Sequence, residues 1–227
     1  GSTTPVAVGL GSSAATAVST IAAVAESLKA KLRRDEICDL AFVPERCIHE
    51  KPSGIDQTTS TYGGVILYKP GKGFEPIPIR YELPIVVGNS GKTRSTGEQV
   101  AKVRKLFEER RDFVTYLANN AGELSTKGVD AIKNGDLRTL GEIMISNHEI
   151  LRKVGVSSQT LDHLVQASLK AGALGAKLTG AGGGGCIIAL TEKDAQQAVA
   201  DAIQQAGGKA YIVEIDKFGV RAWLNKM

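Results

Sequence analysis

Residues 177–190 read KLTGAGGGGCIIAL. Gly180 to Gly185 fit the pattern G-x-G-x-x-G, which in a dinucleotide-binding fold follows a strand and opens a helix whose N-terminus faces the pyrophosphate. Here the glycines lead instead into Cys-Ile-Ile-Ala-Leu, an apolar run of strand type. With strands on both sides, the loop fails as a Rossmann fingerprint. Working outward, 174–178 reads as the preceding strand, 193–206 as a helix and 209–215 as a strand, with a final strand near 219–225. Upstream lie strongly helical stretches at 95–119, 121–134, 136–153 and 158–172, preceded by a buried-type strand at 83–88. Strands that flank helices and return in this order predict an α+β sandwich for the second half.

The first half is organised differently. Residues 3–8 read as a strand end or an extended lead-in, and the Ala-rich run from Ser12 as a largely buried helix. A second helix from Asp35 to about His49 carries Pro44, which predicts a kink or a break. A turn, His-Glu-Lys-Pro-Ser-Gly, leads to a short helix or turn from Ile55. Residues 61–68 read as a strand and 70–78 as a loop and edge hairpin. The composition shift near 70–82 sets the expected domains at 1–80 and 81–227.

Composition narrows the function classes. The 227 residues are 42% hydrophobic and 23% charged, ordinary for a globular chain. The net charge of +4 is spread along the sequence, which argues against nucleic acid or a membrane surface as partner. No apolar run reaches the roughly 18 residues of a membrane span, and no signal peptide is seen. Three scattered cysteines, Cys38, Cys47 and Cys186, make neither a disulfide framework nor a zinc site and point to a cytoplasmic, reducing setting. Gly1-Ser2 reads as a pair left by cloning. Glycine is the outlier: 26 residues, seven of them between Gly172 and Gly185, where backbone must approach a ligand or turn with positive φ.

Two other glycine loops invite the same test. Gly88-Asn-Ser-Gly91-Lys92-Thr93 resembles a P-loop, but the first required glycine falls on Val86, which leaves a strand-to-helix turn with an exposed lysine. Gly9-Leu10-Gly11-Ser12-Ser13-Ala14 opens a helix, but a second helix follows rather than a strand ending in an acid, so it too fails as a Rossmann loop. It still sets bare N–H groups and two hydroxyls at the positive end of a helix, a place suited to a di- or triphosphate. The alternative is a tight turn with Ser as N-cap.

Glu45 and Asp56 flank the turn that holds Pro52 and Gly54, so both carboxylates can face one cleft. Phosphoryl transfer needs a magnesium ligand and a group that takes the nucleophile's proton, and two acids in different surroundings can divide those tasks. The alternative pairs Glu45 with Arg46 or Lys51 at the surface and leaves Asp56 as a helix cap. His49 has no second ligand at metal spacing and reads as packed within its turn. Cys186 reads as a small buried residue at a strand start.

Taken in order, PVAVGLGSSAA, ERCIHEKPSGID and KLTGAGGGGC resemble the three-motif set of the GHMP small-molecule kinases. The middle motif is similar to the branch of that family that phosphorylates mevalonate, as are KTRST at 92–96 and the Asn147, Leu151, Gly155-Val156 stretch. The likeness runs from Pro5 to about Phe218. It implies an α+β, GHMP kinase-like fold: the remainder of a ribosomal-protein-S5-like N-terminal domain and a ferredoxin-like C-terminal domain. It implies ATP and Mg²⁺ as cofactors and mevalonate as the small-molecule partner. On the residues, it implies a phosphate loop at Gly9, Leu10, Gly11, Ser12, Ser13 and Ala14, Mg²⁺ ligands in Ser13 and Glu45, and a catalytic base in Asp56. Ser53, Gly54, Thr179, Gly180, Ala181 and Gly182 fall at substrate positions and Thr96 near the transferred phosphate. The family's first motif, with a lysine and part of the adenine pocket, would precede this chain. A homodimer interface could use an amphipathic surface among helices 95–172, although a core-facing stripe is the ordinary use of such a pattern. The rivals are a phosphomevalonate kinase, for which an extra basic cluster is missing, a homoserine kinase, and a non-catalytic binding protein, against which the intact Ser13, Glu45 and Asp56 argue.

Overall fold

The computed structural model describes residues 10–48, 53–93 and 95–223. They fall into two compact units, one of residues 11–78 with 215–223 and one of residues 79–214.

In the first unit, α1 (Ser12–Ser27), α2 (Arg34–Ile48) and α3 (Ile55–Tyr62) precede an antiparallel pair, β1 (Val65–Lys69) and β2 (Gly73–Ile77), registered from Val65 opposite Ile77 to Lys69 opposite Gly73. Small residues on α1 make the packing close: Ala14, Val18, Ala22 and Ala25 form one buried stripe at helical spacing. Val18 and Ala22 meet Ile37 and Ala41 of α2. The expected break at Pro44 does not occur, since α2 runs through it to Ile48. The expected strand 61–68 starts late. Thr61 and Tyr62 finish α3, and Gly63 and Gly64, both at positive φ, turn the chain before pairing begins at Val65.

The C-terminal segment, expected to close the second domain with a strand, instead joins the first unit without forming one among the described residues. Its backbone is spent elsewhere: Val220 N donates to Thr61 O at 3.1 Å and Asp216 O accepts from Gly64 N at 2.7 Å. The Asp216 carboxylate takes the amides of Phe218 and Gly219 at 2.7 and 3.1 Å, an Asx-type turn rather than a ladder.

The second unit is built on a four-stranded antiparallel sheet in the order β4-β5-β3-β6: β3 (Ile85–Asn89), β4 (Gly175–Leu178), β5 (Cys186–Leu190) and β6 (Lys209–Val213). This is a split β-α-β-β-α-β order, in which β5 inserts between β3 and β4. Four helices fill the first crossover, α4 (Thr96–Glu109), α5 (Arg111–Asn134), α6 (Leu137–Val154) and α7 (Gln159–Lys170). A 3-10 turn and α8 (Gln196–Gln205) fill the second. The helix break expected near residue 120 falls at Arg110, because the buried stripe of α5 carries on from Val114 and Leu117 to Val129 and Ala131. Side chains start α4, α6 and α7: Ser95, Asp136 and Ser158 accept the amides of Glu98, Thr139 and Leu161 at 3.3, 3.0 and 3.3 Å. The core gathers Val86, Leu161, Leu164, Leu178, Ile187, Val199 and Ile203.

At the sheet border, α6 lies along β4. A Cβ on Gly141 would collide with the Leu174 carbonyl, and one on Gly175 with the carbonyl of Gly141, so helix and strand touch backbone to backbone.

Candidate active site

In the first unit the site grows from the start of α1. Gly11 caps the helix at φ +65°, a left-handed conformation that costs a side-chain-bearing residue, and it has no side chain with which to satisfy the helix amides. The first-turn N–H groups of Ser12, Ser13 and Ala14 thus sit at an N-terminus with no side-chain cap and no acid in its first turn. That combination leaves partial positive charge for an anion. The cap is Gly11 and not a serine, so the alternative reading of this turn fails. Gly9 lies outside the described residues, and Leu10 is half-buried in a bend.

Both acids come to this helix end. Ser13 Oγ donates to Glu45 Oε1 at 2.8 Å, and Glu45 is only 4% exposed although it carries a carboxylate. Arg46 lies over the Phe42 ring at 4.7 Å. Asp56 stands in the first turn of α3, whose cap is Gly54. A Cβ built on Gly11 would lie 3.3 Å from both Cβ and Cγ of Asp56 and 3.5 Å from Oδ1. The Asp56 carboxylate therefore adjoins the helix end, and it is exposed where Glu45 is buried. His49, Lys51 and Pro52 lie outside the described residues, as does the side chain of Cys47.

The turn that carries Asp56 is held by a residue that sequence reasoning missed. Tyr68 of β1 donates its hydroxyl to Ser53 O at 2.8 Å and lies so close to Gly54 that a Cβ there would overlap it. Thr58 Oγ1 donates to Gly54 O at 2.6 Å. An isolated tyrosine in a strand gives no sequence signal for this contact.

In the second unit, Thr179 N donates to Cys186 O at 3.0 Å and opens the glycine loop, in which Gly180, Gly182, Gly183 and Gly185 have positive φ. Ala181 is half-buried and Gly182 buried. Gly183 N donates to Val156 O at 2.7 Å and Gly185 N to Lys92 O at 3.0 Å, while Gly185 O accepts from both N and Oγ of Ser90 at 2.9 and 2.8 Å. The loop is thus pinned on two sides by 90–92 and Val156. Lys92 is exposed in its strand-to-helix turn, as expected, and Thr96 begins α4. Lys177, just ahead of the loop, is pushed down to about 8 by burial and donates to Leu178 O at 2.9 Å.

Among the described residues no cluster of three or more His, Cys, Asp or Glu could hold a metal by itself. Ser13 and Glu45 fit a magnesium ion that completes its shell from elsewhere. A hydroxyl and a carboxylate side by side are oxygen donors of the kind Mg²⁺ takes, and Mg²⁺ commonly uses few protein ligands besides substrate phosphates.

The helix end without a side-chain cap thus stands beside one buried and one exposed carboxylate, and two family models match the chain. "GHMP kinases N terminal domain" matches residues 1–64 and "GHMP kinases C terminal" residues 129–209. The chain belongs to the GHMP kinase family. Within it, the mevalonate kinase of Pyrococcus horikoshii is 47% identical over 222 residues, covering 96% of this chain and 65% of the relative. That of Aeropyrum pernix is 33% identical over 220 residues, covering 96% and 67%. Solved structures agree: the L. major mevalonate kinase in complex with R-mevalonate superposes with a TM-score of 0.83 at 34% identity, over 90% of this chain and 64% of that one. The Methanococcus jannaschii mevalonate kinase gives 0.81 at 31%, over 95% and 67%. The chain spans 65–66% of the length of the first curated relatives it matches. No helix among the described residues is long and apolar enough to cross a membrane.

Proposed function

We propose that this chain carries the phosphate-holding and proton-accepting parts of a mevalonate kinase, which transfers the γ-phosphoryl group of ATP to the 5-hydroxyl of mevalonate. The observation that carries the reading is the convergence of Ser13, Glu45 and Asp56 on the start of α1. The backbone amides of Gly11 to Ala14, with Gly9 and Leu10 before them, bind phosphate oxygens and offset charge as it shifts in transfer. Ser13 and Glu45 would hold Mg²⁺, which when bound neutralises phosphate charge. Asp56 accepts the proton of the attacking hydroxyl, so that the alkoxide character needed for attack develops only in the transition state. Burial suits Glu45 to a fixed cation, and exposure suits Asp56 to a proton that must later leave to water.

Ser53 and Gly54 sit in the turn that fixes Asp56, which supports a substrate role for them. Thr179, Gly180, Ala181 and Gly182 keep the substrate role, and Thr96 the phosphate role, that the family resemblance gives them. We take residues 1–80 and 81–227 as the family's two domains, with the segment from residue 215 packed back on the first. A cytoplasmic, reducing setting and assembly as a homodimer belong to the same proposal.

The test is ATP consumption by the full-length protein with mevalonate, phosphomevalonate or homoserine as acceptor. Turnover with mevalonate at least ~100-fold above the other two in kcat/KM is expected. Turnover favouring another acceptor, or binding of ATP and mevalonate with no phosphoryl transfer, overturns the proposal.

A further inference from the structure

His148 has no role assigned from the sequence, although it follows Asn147 in the 147–156 stretch; it is 3% exposed on α6 and bonded at both ring nitrogens. Nδ1 lies 3.3 Å from Leu178 N, which can only donate, so Nδ1 is the acceptor and the ring proton is on Nε2. Nε2 faces Asp162 Oδ1 of α7 at 3.1 Å. Asp162 is itself held: Ser157 Oγ donates to Oδ1 at 2.5 Å and Arg152 Nε to Oδ2 at 3.1 Å, while Arg152 also pairs with Glu149. Every donor in this chain of bonds has an acceptor, and the arrangement selects one tautomer.

What the imidazole holds is the last amide of β4. Leu178 is the border-strand residue immediately before Thr179, and its N–H points away from β5 toward α6. The same helix–turn region supplies Val156 O to Gly183 N at 2.7 Å. The entry and the middle of the glycine loop therefore both hang from residues 148–156. We propose that His148 is a positioning residue for the glycine loop: oriented by Asp162, it accepts the Leu178 amide and so sets where Thr179 to Gly182 stand. This inference rests on the kinase reading above for its effect on rate, but not for its geometry.

Burial outweighs the neighbouring carboxylates of Asp162 and Glu149 and holds the imidazole below its ordinary range, with Arg152 adding to that depression. The neutral, accepting form is thus the resting one. A proton added at Nδ1 would set two donors face to face at Leu178.

Two measurements on the full-length protein test this. The first is the ¹⁵N shift pair of His148 together with hydrogen exchange at the Leu178 amide. A pyridine-type Nδ1, a pyrrole-type Nε2 and a protected Leu178 N–H are expected; a protonated Nδ1 or a freely exchanging Leu178 overturns the inference whatever the enzyme phosphorylates. The second compares His148→Leu, which removes both bonds, with His148→Gln, whose amide restores one acceptor and one donor. We expect kcat to fall about 10-fold or more in the Leu variant, with Leu178 exchange accelerated, and to return to within about threefold of the parent in the Gln variant. Equal rates in all three, or equal loss in both variants, overturns the positioning role. Should His148→Leu not fold, Asp162→Asn serves instead: it frees the tautomer, and unchanged Leu178 exchange there counts against the proposal.

Discussion

The Asp56 side chain lies against Gly11: a methyl group on Gly11 would stand 3.3 Å from Asp56 Cβ and Cγ. One residue begins the helix proposed to receive phosphate and the other is the proposed base, so on that reading a glycine sets the spacing between nucleophile and phosphoryl group. Gly11→Ala should act twice. The left-handed φ of +65° costs about 1 kcal/mol with a side chain, and the new methyl pushes Asp56 off position. A Tm lowered by a few degrees with kcat reduced at least 10-fold is expected; calorimetry and steady-state kinetics check both.

Asp56→Asn keeps the shape of the side chain and removes its basicity. A fall in kcat of about 10²–10⁴-fold with little change in ATP affinity is expected in the full-length enzyme. Near-normal turnover would refute the assignment of Asp56 as base.

Glu45→Gln tests the cation site. The amide oxygen can still accept from Ser13, so folding should survive, while a neutral group replaces the charge facing the ion. The apparent Kd for Mg²⁺ should rise by about 10-fold or more, with activity partly recovered at high magnesium. EDTA should abolish turnover in the parent and variant alike. An unchanged magnesium dependence would remove Glu45 from the site.

Tyr68→Phe deletes one hydroxyl and leaves the ring. The lost bond to Ser53 O should cost about 1 kcal/mol of stability, and the loosened turn should lower kcat more than it raises the KM for ATP. Urea unfolding and kinetics on the same preparation separate the two effects.

Stability should depend on pH through His148 and Lys177, both depressed by burial. The histidine binds its proton more weakly when folded, so the stability it supports is complete above its unfolded value of about 6.5 and declines as pH falls through and below it. His148→Gln should flatten that decline. The lysine, lowered to about 8, burdens the folded state at neutral pH and less so as pH rises from about 8 toward its unfolded ~10.4. Lys177→Met should therefore stabilise at pH 7 by on the order of 1 kcal/mol, with the gain shrinking by pH 10. Urea midpoints across pH read both slopes.

Local chemistry was legible in the sequence where it is carried by neighbours along the chain. Gly11 before an Ala-rich helix, and Gly54 before Asp56, declare two helix starts because only a few residue types suit those turns. The 32-residue link from Ser13 to Glu45 was reachable only through the combination of motifs, since spacing alone leaves many partners for a glutamate. Tyr62 read as strand because aromatic and β-branched neighbours favour one, but the glycine pair that follows lets α3 run on first. Pro44 read as a kink or a break, and α2 runs through it without a break, its packing on α1 outweighing one missing hydrogen bond. Residues 219–225 read as a strand, and what decides the shape of 216–220 is the Asp216 turn and the end of α3, contacts from far along the chain. His148 gave no signal because its partners, Leu178 and Asp162, are assembled only by the fold.

The contact of α6 with β4 has a consequence for how molecules of this protein can stick together. Because the Leu178 amide is given to an imidazole and helix backbone meets strand backbone at Gly141 and Gly175, a foreign strand finds no vacancy beside β4. Among the described residues, the border of this sheet left for such an addition is the opposite one, β6. Two copies joined there would each block the other's growing end, so strand addition through this sheet halts after one round.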